Sequence, residues 1–438
     1  MKRLLIILTT AILLLSLSSC NILKEVVRRT VTIRDPDIVD TNPYRKIEPK
    51  ELTYSEGYTP VICDYSYKAL PLEGEKQLYD KLDEVCLDIS PEYSEEAQRY
   101  PMPEIRLEGV SLTEAQVRTT LKALSDDRPD FFWSCGTVGY YSNPELTIVQ
   151  LYSVYSPGEV SERLAALHDA ADAFFATVPD GLSEYERECM VHDYLLERTE
   201  YDTEIDRNDT SNNPPELFTA YGALVDKKAV CEGYARAFQL LMNGLGVDCV
   251  DITGYSSDEL HMWNEVKLDG EWYATDVTWD DREESYAHWC FFDLTTSQMA
   301  EDHTTAPMFY DLTDDQINGE YEDINADIMN LFVPECTDTS MNRYKIECAN
   351  LDDYEGAEVK NALLQAARDF KEYFVFYIGE DLDYDEAVSL LFRDYPQHFF
   401  SYVGSVNWYL EGYSIDSSNV GYICLDRNRA VAVQLNYY

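Results

Sequence analysis

The stretch that constrains the fold most is a pair of β-type runs around one dipeptide, His261-Met262-Trp263-Asn264-Glu265-Val266-Lys267-Leu268, then Asp269-Gly270, then Glu271-Trp272-Tyr273-Ala274-Thr275-Asp276. Asp-Gly between such runs signals a two-residue hairpin turn, because both central residues must tolerate positive φ. A two-residue turn sets Leu268 opposite Glu271, and counting back sets Trp263 opposite Asp276. His261 and Asp276 then share a face as diagonal neighbours, within about 8 Å. A three-residue bulged loop would reverse the parity and separate them. The same parity puts Trp263 and Trp272 on the His261 face and turns Trp279 the other way, into the core.

Upstream lies a cysteine placed where a turn becomes a helix, in Val230-Cys231-Glu232-Gly233-Tyr234-Ala235. Apolar residues recur at Ala235, Phe238, Leu241, Met242 and Leu245, one helical face, with Gly244 and Gly246 at its end. Unpaired N–H groups and the helix dipole at that first turn favour a thiolate and could later hold an oxyanion. A free cysteine is more often an inert core residue. Here the polar neighbours Glu232 and Gly233, one of only six histidines, and a hairpin aiming His261 and Asp276 at one point favour chemistry. A thiolate attacks a carbonyl, an imidazolium pairs with it and protonates the leaving group, and a carboxylate orients the ring.

These three segments, with Asp276-Val277-Thr278-Trp279-Asp280-Asp281 as the third, resemble the core motifs of the bacterial transglutaminase-like superfamily. The resemblance implies an α+β fold like that of papain-like cysteine peptidases, with the nucleophile helix packed on an antiparallel sheet. It implies Cys231 as nucleophile, His261 as general base and acid, Asp276 as orienting carboxylate, and a protein or peptide substrate. It extends through His192-Asp193-Tyr194 and Tyr201-Asp202 upstream and Phe291-Phe292-Asp293-Leu294 with Asp302-His303 downstream. His192 and His303 read as structural or rim residues. Tyr221, Trp263 and Trp272 are candidates for a substrate groove, with core packing the alternative. The rival to an enzyme is a cell-surface binding module that keeps the fold without turnover.

The chain opens with Met1-Lys2-Arg3, an apolar run from Leu4 to Leu15, and Leu17-Ser18-Ser19-Cys20. That is the pattern of a signal peptide, and its end resembles the lipobox that precedes a lipid-modified cysteine. Residues 1–20 are therefore expected to direct export, Cys20 to carry lipid, and residues 21–50 to tether a body held outside the cytoplasm at the membrane. The formal charge of −48 on 438 residues makes nucleic acid an unfavourable partner. Eleven cysteines occur without CxxC or other metal-site spacing, so no metal or cofactor is expected. The acidic run Asp381–Asp385 lacks the glycine and the twelfth-position acid of a calcium loop. Oligomeric state is not legible.

The remaining pattern divides the body into an α+β domain over 51–156, the catalytic domain over 157–335 and a further α+β domain over 336–438. Helices are expected near Glu73–Leu87, from a Ser111–Glu114 capping box to Leu124, and over Pro157–Thr177 and Ser183–Arg198, with strands at 103–107, 131–141 and 146–155. In the last hundred residues the pattern predicts strands at 343–349, 373–378, 399–410, 420–425 and 430–437, and helices at 357–370 and 383–392.

Overall fold

The computed structural model describes residues 30–32, 63–206, 212–257, 259–311, 328–418 and 420–438. The expected signal peptide, Cys20 and most of the tether lie outside the described residues. The chain divides into two compact units, one running to Trp272 and including Ala300–Glu335, the other made of Tyr273–Met299 and Cys336–Tyr438. Among the described residues no helix is long and apolar enough to cross a membrane.

The first unit begins with a four-stranded sheet. Its strands are β1 (Thr30–Thr32), β2 (Tyr100–Glu108), β3 (Ser134–Asn143) and β4 (Leu146–Ser153), in the order β1-β3-β4-β2. β1 pairs parallel with β3, so Thr-Val-Thr, three β-formers within the expected tether, belongs to a sheet. Helices α1 (Tyr65–Ala69), α2 (Glu73–Val85) and α3 (Glu114–Asp127) accompany the sheet. The capping box of α3 is Thr113 with Gln116, two residues later than the Ser111–Glu114 pair read from the sequence. Helices α4 (Pro157–Phe175) and α5 (Glu184–Arg198) follow, each opened by a serine and glutamate box, Ser156 with Glu159 and Ser183 with Glu186.

Short strands β5 (Glu200–Tyr201) and β6 (Lys228–Ala229) pair in parallel and lead into α6 (Cys231–Gly244). A second sheet takes the order β10-β7-β8-β9, from β7 (Cys249–Ser256), β8 (Glu259–Leu268), β9 (Glu271–Thr275) and β10 (His303–Thr305). β7 runs antiparallel to β8 and to β10. The connection from β8 to β9 is the two-residue turn that the dipeptide demands, with Asp269 at φ 50° and Gly270 at φ 95°. Lys267 Nζ stands 5.9 Å from the centre of the Trp272 ring, as expected for residues directly opposite across such a turn.

The second unit carries the short helix α7 (Val277–Asp280) and then a sheet in the order β11-β12-β14-β13. Its parts in chain order are β11 (Ala349–Leu351), α8 (Ala357–Arg368), β12 (Tyr373–Ile378), α9 (His398–Asn407), β13 (Gly421–Leu425) and β14 (Ala430–Gln434). Two expectations fail here. Residues 399–410 were expected to be a strand and are mostly α9, whose buried side chains Phe399, Tyr402, Val403 and Val406 follow a 3.6-residue period. Aromatic and β-branched residues concealed that period behind a strand-like composition. Residues 343–349, also expected to be extended, open with a helical turn, Arg343–Glu347, because Asn342 accepts the Lys345 N–H at 3.1 Å as an N-cap.

Candidate active site

The approach to Cys231 is built from close backbone contacts. The chain leaves a π-helical turn, Gly222–Asp226, through Lys227 in the left-handed region. β6 then pairs with β5, and Val230 N–H donates to the Leu217 carbonyl at 3.0 Å. Val230 is the extended cap and Cys231 the first helical residue, half-buried, so the first-turn N–H groups lack helical acceptors. Gly233 is required by contact: a Cβ there would stand 2.6 Å from the Leu217 carbonyl oxygen and 2.8 Å from Ala229 Cβ. The first turn can be seated this closely only without a side chain.

A buried polar network ties the cysteine helix to the histidine strand. Asn264, three residues beyond His261, donates through Nδ2 to the Ala235 carbonyl at 3.1 Å and to Asp251 Oδ1 at 2.8 Å. Ala235 lies one turn after Cys231. The Arg236 guanidinium, 7% exposed, faces Asp251 at 3.3 Å, Glu232 at 3.5 Å and Asp126 at 3.6 Å, and donates to the Ser125 carbonyl. Gln239 Nε2 reaches the Asp126 carbonyl at 2.7 Å. α3, α6, β7 and β8 are thereby locked together.

Burial raises the Asp251 carboxyl to about 7 against the opposing pull of Arg236, and burial raises Asp127 to about 7 as well. Both folded values exceed the unfolded one, so the native state holds these protons more tightly. Their stabilisation is complete below the ordinary value of 3.8 and is lost as pH rises toward 7. His168, lowered to about 4 by burial, runs the other way between 4 and 6.5 but is one group against two. The melting temperature is expected to be higher at pH 5.5 than at pH 8, as differential scanning calorimetry would measure. Equal or greater stability at pH 8 would contradict it.

His261 is buried on β8 opposite Gly254. Its ring stacks near Trp263, with centroids 6.2 Å apart, and lies 5.4 Å from the ring of His303. Within the second unit, Asp276 is 1% exposed and caps α7, its Oδ1 accepting the Trp279 N–H at 3.1 Å. Its own N–H donates to the Phe291 carbonyl at 2.8 Å, and Trp279 packs edge-on to Phe291. One carboxylate oxygen is thus spent on local geometry, which orients the other.

Of the groove candidates, Trp263 is beside His261. Trp272 packs against Tyr65 and Phe332, and Tyr221 against Phe132 and under the Arg163 guanidinium. The sequence does not single out Arg236 and Asn264, whose charge and amide give no sign of burial in a linear reading, and His303, expected as a structural or rim residue, is 3% exposed. Nine free cysteines are described, Cys336 and Cys348 among them. Burial pushes the thiols of Cys86 and Cys348 up to about 12 and Cys290 to about 11, and raises Cys63, Cys249 and Cys424 too.

Residues 175–277 match the family model of the transglutaminase-like superfamily, an interval that contains Cys231, His261 and Asp276. Residues 175–277 form a transglutaminase-like domain. Its helix and antiparallel sheet give it the α+β fold of that class. The transglutaminase-like domain is similar to part of two curated relatives. Mouse kyphoscoliosis peptidase is 31% identical over 109 residues, covering 22% of this chain and 16% of the relative. The human protein of the same name is 34% identical over 76 residues, covering 15% and 12%. The chain therefore spans less than a fifth of the length of these relatives. Among solved structures, a TGase aligns at 16% identity and TM-score 0.24, over 41% of this chain and 52% of that one. A protein of Cytophaga hutchinsonii assigned as a cysteine protease aligns at 16% identity and TM-score 0.21, over 31% and 54%.

Proposed function

We propose that this protein is an exported, lipid-anchored thiol enzyme that cleaves or transfers amide acyl groups through a thioester on Cys231. The Cys231 thiolate attacks the carbonyl of a peptide or glutamine-type amide, and the first-turn N–H groups of α6 receive the oxyanion. The C–N bond breaks as the His261 imidazolium gives its proton to the departing amine or ammonia. His261 then takes a proton from water or from an acceptor amine, which attacks the thioester and frees the thiol. Asp276 holds the imidazole in the required tautomer and supports its charge. The observation that carries this reading is the placement of Cys231 at the first position of a helix that Asn264 ties to the His261 strand. The turn after Leu268 has the two-residue length on which the expected parity of His261 and Asp276 depends.

Protein or peptide is the substrate class, with hydrolysis slightly favoured over amine transfer for an exported chain. The opening residues support export and a lipid anchor on Cys20, outside the cytoplasm. The test incubates the protein lacking residues 1–20 with a protein mixture and a labelled primary amine, beside Cys231→Ala. Covalent label or new chain termini that depend on Cys231 are expected. Identical outcomes for both proteins, with a Cys231 no more reactive than a model thiol, would refute the reading.

A further inference from the structure

Strands β10 and β8 are not neighbours. β7 lies between them, and two strand spacings separate side chains by about 9–10 Å. Yet the rings of His303 on β10 and His261 on β8 are 5.4 Å apart. The register explains how. Gly254 on β7 pairs with His261 on one side and Thr305 on the other, so His303, two residues from Thr305, shares their face. The middle of that row has no side chain. A Cβ on Gly254 would stand 2.5 Å from the Trp263 ring and 2.4 Å from the Thr304 carbonyl oxygen. The Trp263 indole leans into the hollow, and the His303 imidazole meets it edge to face with centroids 5.2 Å apart.

His303 is itself held. Its Nδ1 meets Asp302 Oδ1 at 2.7 Å, and the Asp302 carbonyl accepts the Ser256 hydroxyl at 3.3 Å, which fastens the dyad to β7. His303 and Trp263 are 3% and 2% exposed, so both rings are shielded from solvent. We propose that His303, anchored by Asp302, is a positioning residue for the acyl-transfer reaction, which fixes the His261 ring at the angle needed to pair with the Cys231 thiolate. The inference rests on the thiol-enzyme reading above. His303 acts through His261 and takes no part in bond making.

The test needs no substrate. The rate at which iodoacetamide alkylates Cys231 is followed by peptide mass spectrometry from pH 5 to 9. A thiolate paired with imidazolium gives a reactive plateau on the acid side of an ordinary thiol's range near 8.5. His303→Ala is expected to lower that plateau about tenfold. His303→Phe, which keeps the ring and loses the bond to Asp302, should recover part of it, and Asp302→Asn, which can still accept from Nδ1, should recover most. A purely structural His303 would lower the melting temperature of His303→Phe and leave the plateau of the folded protein unchanged, which overturns the proposal. Absence of the plateau in the unsubstituted protein would overturn the thiol-enzyme reading and this inference with it. Should His303→Ala fail to fold, the ordering of the two conservative variants decides.

Discussion

Arg236→Ala is expected to cost about 3–5 kcal/mol of unfolding free energy at pH 8, the penalty for leaving the buried Asp251 carboxylate without its ion-pair partner, whereas Asp126 keeps Lys122 at 2.8 Å. Asp251 and Asp126 both face this guanidinium from inside the protein, Asp251 at 5% exposure and Asp126 at 6%. The loss should shrink at pH 5.5. Asp251 already titrates near 7, and without Arg236 it takes up a proton more readily, trading a buried charge for a neutral acid. Urea unfolding at the two pH values measures both effects, and Asp251→Asn in the Arg236→Ala background should restore part of the stability at pH 8. A cost below about 1 kcal/mol, in the range of an exposed ion pair, would show that the network does not hold α6 against β7 and β8.

The second large effect separates the two tasks of Asp276. As the cap of α7 it accepts one backbone N–H, a role that asparagine performs equally well. As the proposed orienting carboxylate it must also bear charge toward an imidazole, which asparagine cannot do. Asp276→Asn is therefore expected to keep its melting temperature and to lose about 10⁴-fold in turnover, the scale on which such a swap acts in a triad. Asp276→Ala should lose comparable activity and, in addition, about 1 kcal/mol of stability from the missing cap. Steady-state rates on whichever amide the labelling experiment identifies, beside thermal melts, decide the matter. An active Asp276→Asn would remove Asp276 from the chemistry.

Much of the frame could be read from the residues alone. The Asp269-Gly270 turn, the helices α4 and α5, and the helix starting at Cys231 are local patterns, each set by a few neighbouring residues, although the capping box of α3 lies two residues beyond its expected place. What stayed hidden depends on distant partners. Asn264 looks like any polar strand residue until Ala235 and Asp251 are seen beside it. His303 is one histidine among six until its ring is seen 5.4 Å from His261 and edge-on to Trp263. α9 was mistaken for a strand because Phe399, Tyr402, Val403 and Val406 have strand-like side chains on a helical period. Thr30–Thr32 shows the reverse case, a strand too short to stand out from the polar segment around it.

Cys231 is proposed to form an acyl-enzyme. Mixing the protein with p-nitrophenyl acetate and following nitrophenolate release tests it directly, because an acyl-thiol intermediate appears as a burst before steady turnover. A burst equal to the enzyme concentration is expected, with the acetyl group on Cys231 by peptide mass spectrometry and no burst from Cys231→Ala. Turnover that persists in Cys231→Ala, or acetyl found on another residue while Cys231 stays free, would contradict it.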